Sequence, residues 1–286
     1  MNNYQLIAFD MDGTLLNSDK QISPETLNAI KRAGDAGKTV ILCTGRNLAE
    51  LNAFTEIIPG LRYLDCVSGA CVYDLKEKKT LYSQALDPGI VKKLMEFALE
   101  EEAMIHVLSE RSIVQRDQQS HMADFHMGIY QTMFDKITDK LENIYNSFCQ
   151  EPFPVLKLNL YHKDEYSRAR TVERIKAAGL ETALALAEST SLECSAKGID
   201  KGVGLKKLCE HLGLPLEQTI AVGDADNDTM ALKTAGLAIA MGNATEPIKA
   251  LADVIVADCD HNGCAEAIDK YLLAENQPKK QGQERL

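Results

Sequence analysis

The chain has 286 residues and a formal net charge of -11 at pH 7, a length that suits one large domain or two ordinary ones. The negative balance argues against a nucleic-acid partner, since a phosphate backbone needs a basic face. No apolar run approaches the roughly 18 residues of a membrane span, and the N-terminus lacks the basic and apolar regions of a signal peptide. We therefore expect a cytoplasmic protein without a membrane partner.

The eight cysteines and six histidines form no metal-binding pattern. The cysteines contain no Cys-x-x-Cys pair, and in a chain of this length they are typical of reduced, mostly buried thiols. The two closest histidines, His121 and His126, lack the spacing of three or four that places two ligands on one helix face. We expect no structural zinc.

The most informative stretch runs from Gln5 to Thr14. An apolar run of strand length, Leu6 to Phe9, ends in two carboxylates one residue apart and a turn glycine. Side chains alternate along an extended chain, so Asp10 and Asp12 begin on the same side. Carboxylates are hard ligands suited to Mg²⁺, and an aspartate can accept a phosphoryl group as a covalent intermediate. Taken alone, the stretch is as compatible with a plain turn at Asp12-Gly13 and a helix cap at Asp10 as it is with a reactive site.

The first part of the chain repeats the order strand, polar turn, helix. Ser23-Pro24-Glu25 predicts a helix start, because it combines an N-cap, a first-turn proline and an acid. A second buried strand, Thr39–Cys43, runs into Thr44-Gly45-Arg46 and a helix from about Asn47 to Ile57. A third short strand ends in Ser68-Gly69-Ala70. This order is typical of an α/β domain.

The pattern changes between residues 84 and 192. After a helix that begins at Asp87-Pro88, short strands are predicted near residues 104–108 and 112–115. Leu156–Leu160 alternates strictly between apolar and polar residues, which indicates a strand with one buried and one wet face. We expect a separate α+β domain with an open-faced sheet, residues 84–192, inserted between the two parts of an α/β core domain.

The core domain is predicted to comprise residues 1–83 and 193–274. In its second part Lys201-Gly202 leads into a helix, and the apolar run Gln218–Val222 ends in Gly223-Asp224-Ala-Asp226-Asn227-Asp228. Residues 275–286, rich in Gln, Lys and Gly, are predicted to be a disordered tail.

The polar turns of the core domain should converge, because ligands of an open parallel sheet bind beyond the carboxyl ends of its strands. The converging groups are carboxylates for a cation, hydroxyl and N–H groups for phosphate oxygens, and one lysine, Lys201. This set suits phosphoryl transfer, in which catalysis consists mostly of positioning and charge neutralisation.

Each turn also has a plainer interpretation. Thr44-Gly45-Arg46 is compatible with an ordinary strand-to-helix turn, and Lys201 with a solvated lysine at a helix start. Residues 224–228 have the spacing of the start of a calcium loop, yet Thr229 and Ala235 replace the glycine and glutamate that an EF-hand needs. The chain contains neither a Gly-x-Gly-x-x-Gly after a strand nor a P-loop.

Four motifs, in this order, resemble those of the haloacid dehalogenase superfamily of phosphatases: Asp10-Met11-Asp12-Gly13-Thr14-Leu15, Thr44-Gly45-Arg46, Lys201-Gly202 and Gly223-Asp224-x-x-Asn227-Asp228. Together with Met241-Gly-Asn-Ala244 and the inserted domain, they are similar to the Cof-type branch over about residues 4–273. The resemblance implies an α/β fold, with a Rossmann-like, mainly parallel core sheet and a large inserted cap.

The resemblance also implies a role for each matching residue. Asp10 would attack the substrate phosphorus and form an aspartyl phosphate, while Asp12 would protonate the leaving alcohol and later activate water. The cofactor would be Mg²⁺, held by Asp10, the Asp12 backbone carbonyl and Asp224, with Asp228 close by. The residues that would hold the transferring phosphate are Met11, Thr44, Gly45, Lys201 and Asn227.

The resemblance assigns substrate selection to the cap. The expected substrates are small phosphorylated metabolites, with sugar phosphates first and pyridoxal phosphate or flavin mononucleotide next. A sugar phosphomutase and a noncatalytic phosphate-binding or sensing module are the alternatives.

Ser68 stands where relatives usually carry asparagine. The sequence leaves the oligomeric state, monomer or dimer, open. Charged and polar cap residues that are more typical of a solvated surface are Arg111, Arg116, His121, His126 and Lys157.

Overall fold

The computed structural model describes residues 4–187 and 190–274, so the predicted tail, residues 275–286, lies outside the described residues. The strands are β1 (Leu6–Phe9), β2 (Thr39–Cys43), β3 (Tyr63–Cys66), β4 (Cys71–Asp74), β5 (Lys79–Ser83), β6 (Met104–Leu108), β7 (Ser112–Gln115), β8 (Asp139–Leu141), β9 (Lys157–Tyr161), β10 (Thr182–Ala187), β11 (Ser191–Ala196), β12 (Thr219–Gly223), β13 (Leu237–Ala240) and β14 (Val254–Ile255).

The α-helices are α1 (Pro24–Asp35), α2 (Leu48–Thr55), α3 (Pro88–Glu100), α4 (Arg116–Gln119), α5 (Gln131–Ile137), α6 (Ile144–Gln150), α7 (Glu165–Ala177), α8 (Lys201–Leu212), α9 (Thr229–Thr234), α10 (Glu246–Leu251) and α11 (Gly263–Ala267). A π-helical turn, Ile268–Leu272, follows α11. Among the described residues, no helix combines the length and the apolar character that a membrane crossing needs.

The described chain divides into two compact units. The first comprises residues 4–45, 53–83 and 200–274, and the second comprises residues 46–52, 84–187 and 190–199. Each unit contains one sheet, with eight strands in the first and six in the second.

The sheet of the first unit has the strand order β14-β13-β12-β1-β2-β3-β4-β5. All pairs from β14 to β3 are parallel, whereas β4 and β5 continue the sheet as antiparallel strands. β1 is buried at every position, as expected for a parallel strand with helices on both faces. The predicted Rossmann-like, mainly parallel α/β sheet is confirmed.

Helix α1 begins as the sequence predicts. Ser23 is its N-cap, and the Ser23 hydroxyl accepts a hydrogen bond from the Thr26 N–H at 3.1 Å. Pro24 follows in the first turn, where its missing N–H leaves no helical bond unmade. The helix buries one face against the core through Thr26, Ala29, Ile30 and Ala33.

The turn after β3 holds two consecutive residues other than glycine in the left-handed region, Val67 (φ 54°) and Ser68 (φ 57°). Asparagine enters this region more readily than serine, because its short amide side chain can bond locally. The Ser68 N–H donates to the Thr44 carbonyl oxygen at 3.0 Å, which ties this turn to the residue after β2. Serine at this position therefore carries a backbone cost that asparagine would reduce.

The sheet of the second unit has the strand order β10-β11-β9-β6-β7-β8, and its pairs are antiparallel except for β7 with β8. The predicted strands at residues 104–108 and 112–115 are confirmed. One face packs on helices α3, α6 and α7 through an apolar core that includes Ile105, Leu158, Leu160 and Leu192. This α+β unit matches the predicted class of the inserted domain.

Candidate active site

Asp10 and Lys201 meet at the carboxyl end of the parallel sheet. Asp10 directly follows β1, and its N–H donates to the Val222 carbonyl oxygen of β12 at 3.1 Å. Asp200 caps α8 by accepting the Val203 N–H at 3.0 Å, so Lys201 is the first residue of that helix. The Lys201 Nζ lies 2.5 Å from Asp10 Oδ1, and the Lys201 side chain is 1% exposed. The cap at Asp200 therefore fixes the start of helix α8 and, with it, the position of Lys201.

Two further carboxylates come from the turn after β12. Asp228 Oδ1 lies 2.6 Å from the Lys201 Nζ, and its Oδ2 accepts the N–H groups of Asp224 at 2.9 Å and Ala225 at 3.1 Å. The Thr14 hydroxyl donates to Asp224 Oδ1 at 2.7 Å. Both side chains are thus held by bonds to the turns after β1 and β12.

Gly13 is required by this arrangement for two reasons. Its φ of 82° belongs to the left-handed region, and a Cβ at this position would overlap the Asp224 carboxylate. Any larger residue would push Asp224 away from Thr14. The glycine of the first motif therefore serves the close approach of two turns.

The carboxylate group suits a divalent cation. Asp10, Asp224 and Asp228 each offer one oxygen, and these atoms lie within 4.8 Å of one another. Carboxylate oxygens are the hard ligands that Mg²⁺ prefers, and Lys201 alone does not neutralise three acids. The residues present therefore fit a magnesium ion.

Burial and charge act in opposite directions on these side chains. Burial raises the pKa of Asp10 to about 7, although the Lys201 ammonium opposes that rise. Burial disfavours the charged form of Lys201, but Asp10 and Asp228 outweigh it, so the Lys201 pKa lies above its ordinary value. Burial also raises the pKa of Asp224, against the hydrogen bond from Thr14. A bound cation would favour the ionised form of these carboxyls.

The other predicted site residues lie in two environments. Met11 and Thr44 are buried, with exposures of 0% and 2%, and Gly45 is partly exposed. Asp12 and Asn227 are exposed, and the Asp12 carboxylate is not among the three clustered acids. Instead, Asp12 Oδ1 pairs with the Lys20 Nζ at 2.9 Å. The site thus has a buried acid–lysine centre and an exposed second acid.

The comparisons with known proteins agree with this geometry. The sequence model of the haloacid dehalogenase-like hydrolase family matches residues 7–268 of this chain. The chain belongs to this family. Phosphatase YwpJ of Bacillus subtilis (strain 168) is 28% identical over 94% of this chain and 100% of its own length.

A second relative and a solved structure cover as much of the chain. The 5-amino-6-(5-phospho-D-ribitylamino)uracil phosphatase YcsE of Bacillus subtilis (strain 168) is 29% identical over 94% of this chain and 96% of its own. A haloacid dehalogenase-like hydrolase from Bacteroides thetaiotaomicron, solved by crystallography, is 26% identical, with a TM-score of 0.80 over 93% of this chain and 98% of that one. The similarity therefore extends through both units.

One buried acid of this haloacid dehalogenase-like hydrolase was not predicted from the sequence. Asp65, on β3, is 0% exposed, and its Oδ2 accepts a hydrogen bond from the Cys43 thiol at 3.0 Å. No described residue bonds to its Oδ1. Burial raises the Asp65 pKa to about 8, although the bond from Cys43 and the charge of Lys201 act in the opposite direction. Burial therefore favours the neutral form of the Asp65 carboxyl, which lies beside the strand end that leads to Thr44.

Asp65 also explains a glycine inside helix α8. A Cβ at Gly204 would overlap the Asp65 carboxyl. Alanine normally stabilises a helix interior by about 0.5–1 kcal/mol relative to glycine, whereas overpacking costs about 1–3 kcal/mol. We therefore expect Gly204→Ala to lower the free energy of unfolding by about 1–2 kcal/mol in urea titrations.

The matched control for this prediction is Gly34→Ala, in helix α1. No atom lies within 4 Å of a Cβ at Gly34, so the substitution should raise the free energy of unfolding by about 0.5–1 kcal/mol. Equal stabilisation by both alanines would show that Gly204 has room and that Asp65 does not restrict it.

Proposed function

We propose that this hydrolase is a Mg²⁺-dependent phosphatase that acts on small phosphorylated metabolites through an aspartyl phosphate on Asp10. The observation that carries the proposal is the group of three carboxylates around the buried Lys201 at the carboxyl end of the parallel sheet. The names of relatives support it, since YwpJ is a phosphatase and YcsE acts on a phosphorylated ribityl compound.

Asp10 is the nucleophile of this proposal. Its carboxylate oxygen bonds to the phosphorus while the bond from phosphorus to the substrate alcohol breaks. Asp12, protonated in the reacting complex, gives this proton to the departing alcohol oxygen, and its exposed position leaves it accessible to that oxygen. Asp12 then takes a proton from water, whose oxygen attacks the phosphorus, releases inorganic phosphate and restores the Asp10 carboxylate.

The remaining groups neutralise and position the phosphate. Lys201 places one positive charge beside the attacking oxygen of Asp10. Mg²⁺, held by Asp10, Asp224, Asp228 and the Asp12 carbonyl, would add positive charge against the phosphoryl oxygens. The groups proposed to bind those oxygens are Met11, Thr44, Gly45, Lys201 and Asn227.

We propose sugar phosphates as the first substrate class, followed by pyridoxal phosphate and flavin mononucleotide. In a phosphate-release assay over these compounds, the wild-type protein is expected to release phosphate with Mg²⁺ and to lose at least about 90% of that rate in EDTA, since the metal supplies charge that Lys201 alone does not. Restoring Mg²⁺ in excess should restore the rate.

Two outcomes would contradict the proposal. Full activity in EDTA would exclude the metal dependence. Transfer of the phosphoryl group between sugars, with no free phosphate released, would identify a phosphomutase instead.

A further inference from the structure

Strand β3 contains none of the residues predicted for the site, yet two of those residues rest on it. The Asp65 carbonyl oxygen of β3 accepts the Thr44 N–H at 2.8 Å. The turn after β3 packs on the start of α8, since a Cβ at Gly69 would overlap the Asp200 carbonyl oxygen and lie 3.0 Å from the Lys201 nitrogen. Thr44 and Lys201 belong to different motifs, so β3 and its turn are a support that the two motifs share.

The Asp65 side chain connects the same elements a second time. The thiol of Cys43, one residue before Thr44, donates to Asp65 Oδ2 at 3.0 Å, and its Sγ lies 3.9 Å from the Lys201 carbonyl oxygen. Burial raises the Cys43 pKa, so the sulfur keeps the hydrogen that it donates. The Asp65 carboxyl also fills the space over Gly204 of α8, where a Cβ would overlap it. The carboxyl thus lies at the junction of β2, β3 and α8.

This junction is unfavourable for stability in two ways. Asp65 is buried, and no described residue bonds to its Oδ1, so one polar atom has lost water without gaining a protein partner. Gly204 lies in the interior of α8, where glycine is less favourable than alanine. Alanine at both positions would remove both effects. A buried acid that breaks two local rules beside a proposed binding site indicates a role in function.

We propose that Asp65 is a positioning residue of the phosphate site, which holds Thr44 and Lys201 at the spacing that one phosphoryl group requires. The carboxyl does this by accepting the Cys43 thiol, which keeps the sulfur between β3 and the main chain of Lys201. The inference rests on the proposed function, in which Thr44 and Lys201 bind the same phosphate. Both residues remain present when the carboxyl is removed, so its loss weakens phosphate binding through their geometry alone.

The test separates this hydrogen bond from the packing of the carboxyl. Asp65→Ala removes both, whereas adding Gly204→Ala refills the space, since the new Cβ lies where the carboxyl was. We expect the double variant to have a higher urea midpoint than Asp65→Ala. The Kd for inorganic phosphate with Mg²⁺, from calorimetric titration, should nevertheless stay about fivefold above the wild-type value in both variants. Wild-type affinity in either variant would overturn the proposal, because the hydrogen bond would then be dispensable.

The conservative variant is Asp65→Asn, whose amide keeps an oxygen acceptor for the Cys43 thiol. Its Kd for inorganic phosphate should lie within about twofold of the wild-type value. Gly34→Ala, which changes stability in α1, is the matched control and should also stay within about twofold. Binding to Asp65→Asn as weak as that to the double variant would contradict the proposed role of the acceptor.

The same titration tests whether Asp65 acts through Cys43. Cys43→Ala removes the donor, so alone it should raise the Kd for inorganic phosphate about fivefold. Added to the double variant of Asp65 and Gly204, it should raise the Kd by less than about twofold, since the bond is already absent. Independent losses, which would multiply to about 25-fold, would overturn the connection through the thiol.

Hydrolysis assays separate this inference from the proposed function. The KM for the best ester of the substrate panel should rise by the same factor as the Kd in each variant. If no ester is hydrolysed, the phosphatase proposal fails, while the titrations with inorganic phosphate still decide the role of Asp65. Absence of phosphate binding to the wild-type protein would overturn the inference itself.

Discussion

Replacing Asp10 by asparagine is expected to reduce phosphate release at least about a thousandfold while leaving the protein folded. The amide has the size of the carboxyl but lacks the nucleophilic oxygen anion. The Lys201 ammonium keeps its second partner, Asp228 Oδ1 at 2.6 Å, so the buried lysine does not lose all compensation. Initial rates with the best ester of the substrate panel, at saturating Mg²⁺, measure this effect.

The control is the same substitution at Asp19, an exposed acid after the first motif. Asp19→Asn should leave the rate within about twofold of the wild-type value, since exposed substitutions outside a site have small effects. Both variants should keep wild-type circular dichroism. If folded Asp10→Asn retained more than about a tenth of the rate, Asp10 would not be the nucleophile.

The core sheet was predictable because its central strands carry a strong local signal. β1, β2 and β12 are short apolar runs that end abruptly in polar residues, as parallel strands buried on both faces do. Because the carboxyl ends of parallel strands lie at one edge of the sheet, the turns that follow these strands were expected to come together. The structure brings Asp10, Lys201 and Asp228 into direct contact, as the convergence argument expects.

The stretch from residue 116 to 150 was not predictable in the same way. Its helices α4, α5 and α6 have four to seven residues, too few turns for a helical period to appear in the sequence. Much of it is held by tertiary contact, since Met122, Phe125 and Phe134 form a separate apolar cluster with Tyr161 of β9. Packing between distant residues determines this part of the fold.

The buried polar residues escaped prediction for a related reason. Asp65 lies in the middle of an apolar strand, and nothing near it in the sequence accounts for a carboxyl there. The residues that accommodate it, Cys43 and Gly204, are 22 and 139 positions away along the chain. The alternation in β9 correctly predicts which side chains share a face, but not that Lys157 and Asn159 are covered. Local patterns fix the direction of a side chain, whereas its burial depends on the tertiary fold.

The pH dependence of stability should reveal Asp65. Its pKa is about 8 in the folded protein against a model value of 3.8, so between these values the folded state holds a proton that the unfolded state has released. The free energy of unfolding therefore falls as pH rises through this range, by about 1.4 kcal/mol per pH unit for this one group. The contribution is complete below about pH 4 and is lost by about pH 8.

Asp65→Asn isolates this contribution, because the amide has the same shape and does not titrate. Urea unfolding of both proteins at several pH values between 4.5 and 7.5 gives the difference in their free energies of unfolding, in which the titration of all other groups cancels. We expect the free energy of unfolding of Asp65→Asn, relative to that of the wild-type protein, to rise by about 1.4 kcal/mol per pH unit. This is the largest stability effect predicted for a single side chain of this molecule.

Asp74→Asn would not serve as an equivalent probe, because the hydrogen bonds from Arg62 lower the Asp74 pKa and reverse the sign of the slope. For that group stability is present above the unfolded pKa of 3.8 and is lost as the pH falls below it. The free energy of unfolding of Asp74→Asn, relative to that of the wild-type protein, should therefore fall as the pH rises towards about 4 and stay constant above it. Between pH 4.5 and 7.5, a slope for Asp65→Asn and none for Asp74→Asn would tie the effect to the Asp65 carboxyl. A difference between Asp65→Asn and wild type that stays constant from pH 4.5 to 7.5 would mean that Asp65 is ionised in the folded protein, with its charge compensated by the ammonium of Lys201.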